Sequence, residues 1–342
     1  MNPSRSPAMT TEQINTALNL LRAGELVGIP TETVYGLAAD ASQPAAVAKI
    51  FAAKGRPADH PVIVHIAGAE QLADWAQNIP DEAYLLAEHF WPGPLTLILE
   101  RQPHVSDSVT GGQNTVGLRA PAHPITHELL QQFGGGLAAP SANQFGHVSP
   151  TTFDHVRSEF SPEVLQLILD GGACDVGVES TIVSLVGDKP KLLRPGGVSR
   201  EAIEAVLGDS LEHHTNQHSA KQRVSGLLDS HYAPRTQLIT GDLLALHALA
   251  QQRLAQGQNI ALLHYQSIEH EQTNWLNAQC YAMPQNAESY AQTLYATLRH
   301  LDLAGFNVLL LELPPTSKEW LAVHDRLHRA AHLKLGSNRI PI

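Results

Sequence analysis

Between residues 209 and about 234 the sequence loses its periodicity, and this break constrains the fold more than any other feature. The run DSLEHHTNQHSAKQRVSG has neither a helical repeat nor the alternation of a strand. Strong periodicity flanks it on both sides. A chain of 342 residues can hold two domains of about 150 residues each, and the polar stretch reads as the linker between them. The expected organisation is a first domain over 10–208, a linker over 209–235 and a second domain over 236–342.

Ahead of the break, strands and helices alternate. Thr10 or Thr11 can cap a helix with Ile14, Leu18 and Leu21 on one face, stopped by Gly24. ELVGIP reads as a strand and PTETVYG as a polar loop after it. Residues 44–54 read as a helix, 61–66 as a strand, and 72 onward and 81–90 as helical stretches. LTLILE (95–100) and TVGLR (115–119) read as strands, 124–133 as a helix, and LAAP as a short buried strand. STIVSLV (180–186) and KLLR (191–194) read as a hairpin or strand pair, and 200–207 closes the unit as a helix. Past the break come strand QLIT, a helix over 242–256, strand IALLHY, a helix over 286–305, strand NVLLLEL and a last helix over 318–335. That alternation implies a small parallel, Rossmann-like α/β domain.

Composition narrows the function. The net charge of −11 argues against a protein that grips nucleic acid through a basic face. Two cysteines, Cys174 and Cys280, cannot build a zinc ribbon or a disulfide framework and read as free thiols. The N-terminal stretch MNPSRSPAMTTEQ has no apolar signal-peptide core, and no run approaches a membrane span, so a soluble cytoplasmic protein is expected. The P-loop and GxGxxG signatures are absent, and Gly134–Gly136 reads as a helix end. His324, His328 and His332, four residues apart, would share one face of the last helix, a spacing that can hold a metal but is weak among 19 histidines.

Four polar clusters sit at strand ends: PTETVYG (30–36), KGRPADHP (54–61), PSANQFGHVSPT (140–151) and ESTIV with LRPG (179–196). Loops at strand ends of open α/β sheets are where ligands bind. Singly, each could be turn chemistry. Together they gather hydroxyls, amides and cations with almost no carboxylates, which suits a multiply charged anion such as a nucleoside triphosphate.

In this order and spacing, KGRP with its following strand, PSAN…SPT, ESTIV and LRPG resemble the YrdC-like threonylcarbamoyl-AMP synthases. SGLLDSHYAP (225–234) followed by a small α/β domain resembles the longer two-domain form. The resemblance implies a twisted, open mixed sheet with a concave cationic cavity. It implies synthesis of threonylcarbamoyl-AMP from L-threonine, bicarbonate or CO2, and ATP, with release of pyrophosphate, for threonylcarbamoyladenosine modification of tRNA. By resemblance, Thr33, His65, Arg119, Ala139 and Ser180 would surround the threonine or its carbamate. Lys54, Arg56, His60, Thr115, Ser141, Asn143, Ser149, Arg194 and Tyr232 would surround ATP, with Lys54 and Arg56 as the catalytic cations and Mg²⁺ carried by the nucleotide. The downstream partners would be proteins that transfer the threonylcarbamoyl group to tRNA. His60, Phe145 and Ser184 depart from residues common in the family.

Two rivals use the same fold. One is a non-catalytic module for double-stranded RNA, against which the acidic balance counts. The other is carbamoyl transfer in hydrogenase maturation, whose proteins carry cysteine-rich zinc motifs lacking here. Leu227, Leu228 and Tyr232 give the end of the linker an apolar character that a tether does not need, so residues 225–234 are expected to act as an active-site lid.

Overall fold

The computed structural model describes residues 10–213, 232–266 and 278–335. His214, His218 and residues 225–231 of the expected lid lie outside the described residues. The described residues fall into two compact units. The first contains 10–145 and 149–213, the second 146–148 and those from 232 onward.

The first unit is built on a mixed sheet. Its described strands are β1 (Val27–Ile29), β2 (Gly36–Asp40), β3 (Ile63–His65), β4 (Leu95–Glu100), β5 (Thr115–Arg119), β6 (Leu137–Ala138), β7 (Leu167–Ile168), β8 (Thr181–Ser184), β9 (Lys191–Arg194) and β10 (Glu212–His213). They lie in the order β10-β9-β8-β4-β5-β3-β6-β2-β1-β7. β4 is mostly apolar and lies deep in the sheet, with its first five residues buried, Thr96 among them. The helix Thr11–Arg22 starts on a capping box between Thr10 and Gln13 and buries Ile14, Leu18 and Leu21. Those residues share a core with Val27, Ile29, Leu129 and Leu130. GLAAD, of which only Gly36 falls in the expected PTETVYG loop, is the fully buried strand β2. Gly and Ala have weak strand propensity, and pairing with β1 and β6 overrides it.

The register decides what one face of this sheet presents. β3 and β5 run parallel, with His65 opposite Arg119 and Ile63 opposite Gly117. β4 puts Ile98 opposite Gly117 and, on its other side, Thr96 opposite Ile182 of β8. β9 puts Arg194 opposite Ile182. Side chains alternate along a strand, so His65, Thr115, Arg119, Ser180 and Arg194 all lie on the face that carries Ile63, Gly117, Thr96, Ile98 and Ile182. A Cβ on Gly117 would meet Ile98 at 3.1 Å, so the glycine keeps the middle of that face low.

The second unit is a parallel sheet, as the alternation predicts. Its described strands are β11 (Gln237–Gly241), β12 (Ile260–His264), β13 (Gln279–Ala282), β14 (Val308–Glu312) and β15 (Leu333–Lys334), in the order β13-β12-β14-β11-β15. Each pairing between them is parallel. The helix Ala287–Leu303 buries Tyr290, Leu294, Leu298 and Leu301. The last helix differs from expectation. It runs Leu321–Ala330 behind a 3-10 turn, Lys318–Trp320, and the chain then enters β15. His332 therefore lies past the helix, and the three histidines do not share one face. His332 Nδ1 accepts the Leu238 N–H at 3.1 Å, and His324 Nε2 hydrogen-bonds Pro315 O at 2.8 Å. No described helix is long and apolar enough to cross a membrane.

Candidate active site

Two clusters sit at opposite ends of the functional face of the first sheet. β5 carries Thr115 at one end and Arg119 at the other, a separation of ~13 Å for four steps of a strand.

The first cluster forms where the helix Pro44–Lys54 ends. Gly55 takes φ +63°, a left-handed turn that glycine adopts without strain and that lets the chain reverse. Lys54 and Arg56 could have been solvated cations completing a helix C-terminus. Both are instead buried, at 3% and 9% exposure. Lys54 Nζ donates to Asn143 O at 2.5 Å and also to Ser141 O. Burial, and then the charge of Arg56, hold the Lys54 pKa well below that of a free lysine, with Glu159 opposing. Arg56 Nη2 donates to Pro61 O at 2.8 Å. Backbone bonds stitch the loops together: Ala142 N–H to Tyr35 O, Leu37 N–H to Pro140 O, and Phe145 N–H to Lys54 O, each at 2.8 Å. His60 meets Phe145 edge-on, with ring centroids 5.9 Å apart. Two of the three departures from the usual family residues thus touch each other. Thr115 lies two residues before Gly117, at the start of β5.

The second cluster joins the ends of β3 and β5 to the start of β8. Arg119 Nη2 donates to Glu32 Oε1 at 2.6 Å, Nη1 to Thr33 Oγ1 at 2.9 Å, and Nε to Gly93 O at 3.2 Å. Thr33 also shares a 2.9 Å hydroxyl bond with Thr31. His65 is 3% exposed and its Nδ1 has no hydrogen-bond partner. Burial, and then the charge of Arg119, bring its pKa from 6.5 down to about 3. Ser180 Oγ bonds Thr96 Oγ1 at 2.8 Å, and Arg194 Nη2 donates to Ser180 O at 2.9 Å. Ser149 Oγ donates to Glu179 Oε1 at 2.6 Å, beside Ser180. Ala139 lies between the clusters, with its N–H on Ile63 O at 3.1 Å.

Thirteen of the fourteen residues expected around the ligands therefore belong to the first unit. Tyr232 does not. It lies in the second unit at 1% exposure, its ring 5.7 Å from that of Tyr295 and the Arg326 guanidinium 5.4 Å from its centroid. The expectation of almost no carboxylates needs correction, because Glu32 and Glu179 are both buried within the clusters. Glu32 and Arg119 are 87 residues apart, and no local pattern links them. Among the described residues, no group of three or more His, Cys, Asp or Glu side chains is arranged to hold a metal ion.

The arrangement can hold a small amino acid at the neutral end of the face and a polyanion along its cationic remainder. Residues 19–196 match the family of Sua5, YciO and YrdC, described as "Telomere recombination", and 198–332 match the threonylcarbamoyl-AMP synthase C-terminal domain. The threonylcarbamoyl-AMP synthase of Pyrococcus abyssi is 38% identical over 331 residues, covering 94% of this chain and 95% of that protein. That of Bacillus subtilis is 39% identical over 323 residues, covering 93% of each. The crystal structure of P. abyssi Sua5 complexed with L-threonine superposes with a TM-score of 0.88 at 37% identity, covering 96% of this chain and 98% of the other. The chain belongs to the Sua5–YciO–YrdC family, in the form that continues into a C-terminal Sua5 domain.

Proposed function

We infer that the chain makes threonylcarbamoyl-AMP from L-threonine, bicarbonate or CO2, and ATP, releasing pyrophosphate, for threonylcarbamoyladenosine modification of tRNA. The observation that carries this reading is the pairing of two unlike clusters on one sheet face. Arg119, Thr33 and the neutral His65 form an amino-acid end. Lys54 and Arg56 in the other cluster, with Arg194 on β9, supply charge for a triphosphate.

The chemistry follows from those side chains. Arg119 takes the threonine carboxylate. The neutral threonine amine attacks CO2, forming the N–C bond and giving its proton to solvent. A carbamate oxygen then attacks the α-phosphorus of ATP in line. The bond to the bridging oxygen breaks, and pyrophosphate leaves with the electron pair. No protein nucleophile is needed, and the site acts by placement and by neutralising charge. Lys54 and Arg56 act as the catalytic cations, with Ser141 and Asn143 holding Lys54 through their carbonyls. His60, Thr115 and Ser149 complete the nucleotide side, and Ala139 and Ser180 the amino-acid side. Mg²⁺ would arrive with the triphosphate as part of the substrate and help neutralise its charge. Tyr232 contacts the nucleotide as part of a lid over 225–234. A cytoplasmic location, and hand-over of the product to proteins that transfer it to tRNA, complete the reading.

The test is pyrophosphate release measured while each substrate is omitted in turn. Release is expected only with ATP, threonine and bicarbonate all present. Equal turnover of serine and threonine would count against the reading, since a methyl-sized pocket contributes about 1–3 kcal/mol of discrimination.

A further inference from the structure

Arg119 is the guanidinium at the ends of β3 and β5, and it does not stand alone. A guanidinium has five N–H donors. Three are engaged, with Glu32 Oε1 at 2.6 Å, Thr33 Oγ1 at 2.9 Å and Gly93 O at 3.2 Å. One N–H remains on each terminal nitrogen, and a carboxylate can accept from them. The second oxygen of Glu32 accepts the Ala122 N–H at 3.0 Å. Glu32 therefore ties three segments together: its own loop before β2, the end of β5, and the turn after β5. Its side chain is 8% exposed and that of its partner Arg119 5%, so solvent does little to weaken the pair.

The charges also balance. Glu32 cancels Arg119, Glu179 offsets Arg194, and His65 is uncharged, so this cluster carries no net charge. A zwitterionic amino acid also carries none. A pocket with a bare arginine would instead draw in the triphosphate. We propose that Glu32 is a positioning residue for the amino-acid carboxylate: it orients the Arg119 fork and, by cancelling its charge, reserves it for the amino acid rather than the nucleotide. This rests on the reading that Arg119 receives the threonine carboxylate.

The test compares L-threonine with L-threoninamide, which lacks the carboxylate, in pyrophosphate-release assays of wild type, Glu32→Gln and Glu32→Asp. In Glu32→Gln the amide nitrogen must face either Arg119 or Ala122, both donors, so one of them loses its acceptor. The threonine KM is expected to rise on the order of 10- to 100-fold, with a smaller change in kcat. The preference for threonine over threoninamide should collapse, and the ATP KM for the productive site should stay within about twofold. Glu32→Asp keeps the charge but is a methylene shorter, so its effect should fall between the two. A purely structural role would lower turnover of both substrates together and leave their ratio intact. Wild-type threonine KM and preference in folded Glu32→Gln would overturn the proposal. Should Glu32→Gln fail to fold, the same comparison in Glu32→Asp decides, with an unchanged preference overturning it. A wild-type enzyme that does not distinguish threonine from threoninamide would instead overturn the carboxylate assignment to Arg119, a separate and prior failure.

Discussion

His65 should remain an uncharged imidazole throughout the pH range in which the enzyme works. Its ring is 3% exposed, its Nδ1 has no partner, and Arg119 sits opposite it in the β3–β5 register. Burial and that neighbouring charge take its pKa from 6.5 to about 3. The folded state therefore resists a proton that the unfolded chain accepts. Stability from this residue is fully present above pH 6.5 and is lost as pH falls from 6.5 toward 3. At 1.36 kcal/mol per pH unit, the whole window is worth ~5 kcal/mol, comparable with the total stability of a small domain. Between pH 6.5 and 5 it amounts to ~2 kcal/mol. Two measurements check this. The ring ¹H–¹³C resonance of His65 should not move between pH 8 and 5. Amide exchange of β3 and β5 should report ~2 kcal/mol more loss of stability on going from pH 7.5 to 5 in wild type than in His65→Gln, which cannot titrate. A resonance titrating near pH 6–7, or identical pH slopes in the two proteins, would refute the reasoning.

Lys54→Met should damage both stability and ATP use. It leaves the carbonyls of Ser141 and Asn143 without their donor, at ~1–3 kcal/mol each, which chemical denaturation would reveal alongside a raised ATP KM. An unchanged denaturation midpoint would mean that the two carbonyls find other partners. In the second unit, Tyr290→Phe should stabilise. The Tyr290 hydroxyl is fully buried without a hydrogen-bond partner, and its ring packs edge-on against Trp320 at 5.4 Å. Removing an unpaired buried hydroxyl should return ~1 kcal/mol, seen by calorimetry as a higher transition for that unit. A lowered transition would show that the hydroxyl has a partner in solution.

The legible parts of the fold were those whose local pattern agrees with their tertiary role. TVGLR and KLLR match β5 and β9 to the residue, and the helices at Asp81–Phe90, Pro124–Phe133 and Arg200–Leu207 match likewise. Their apolar periodicity, Pro starts and Gly stops act within a few residues. What escaped was set from a distance. β2 is made of weak strand formers held by neighbours on both sides. β13 is an edge strand with mostly exposed residues, so it lacks an apolar signature. β15 depends on β11 for pairing. The site divides in the same way. Cations and hydroxyls at strand ends are visible as motifs, but the burial of Lys54 is not, because it follows from a turn at Gly55 and a loop almost ninety residues on. The Glu32–Arg119 pair is invisible for the same reason, and so is the orphaned nitrogen of His65.

The central claim is that one sheet face joins an amino acid, a one-carbon unit and an adenylyl group. It is tested most directly by supplying ¹³C-bicarbonate and ¹⁵N-threonine with ATP and analysing the nucleotide products by mass spectrometry. The account predicts a single AMP adduct carrying both labels, formed in step with pyrophosphate and absent when either labelled substrate is left out. Unlabelled AMP released with pyrophosphate, or an adduct carrying ¹⁵N without ¹³C, would contradict it.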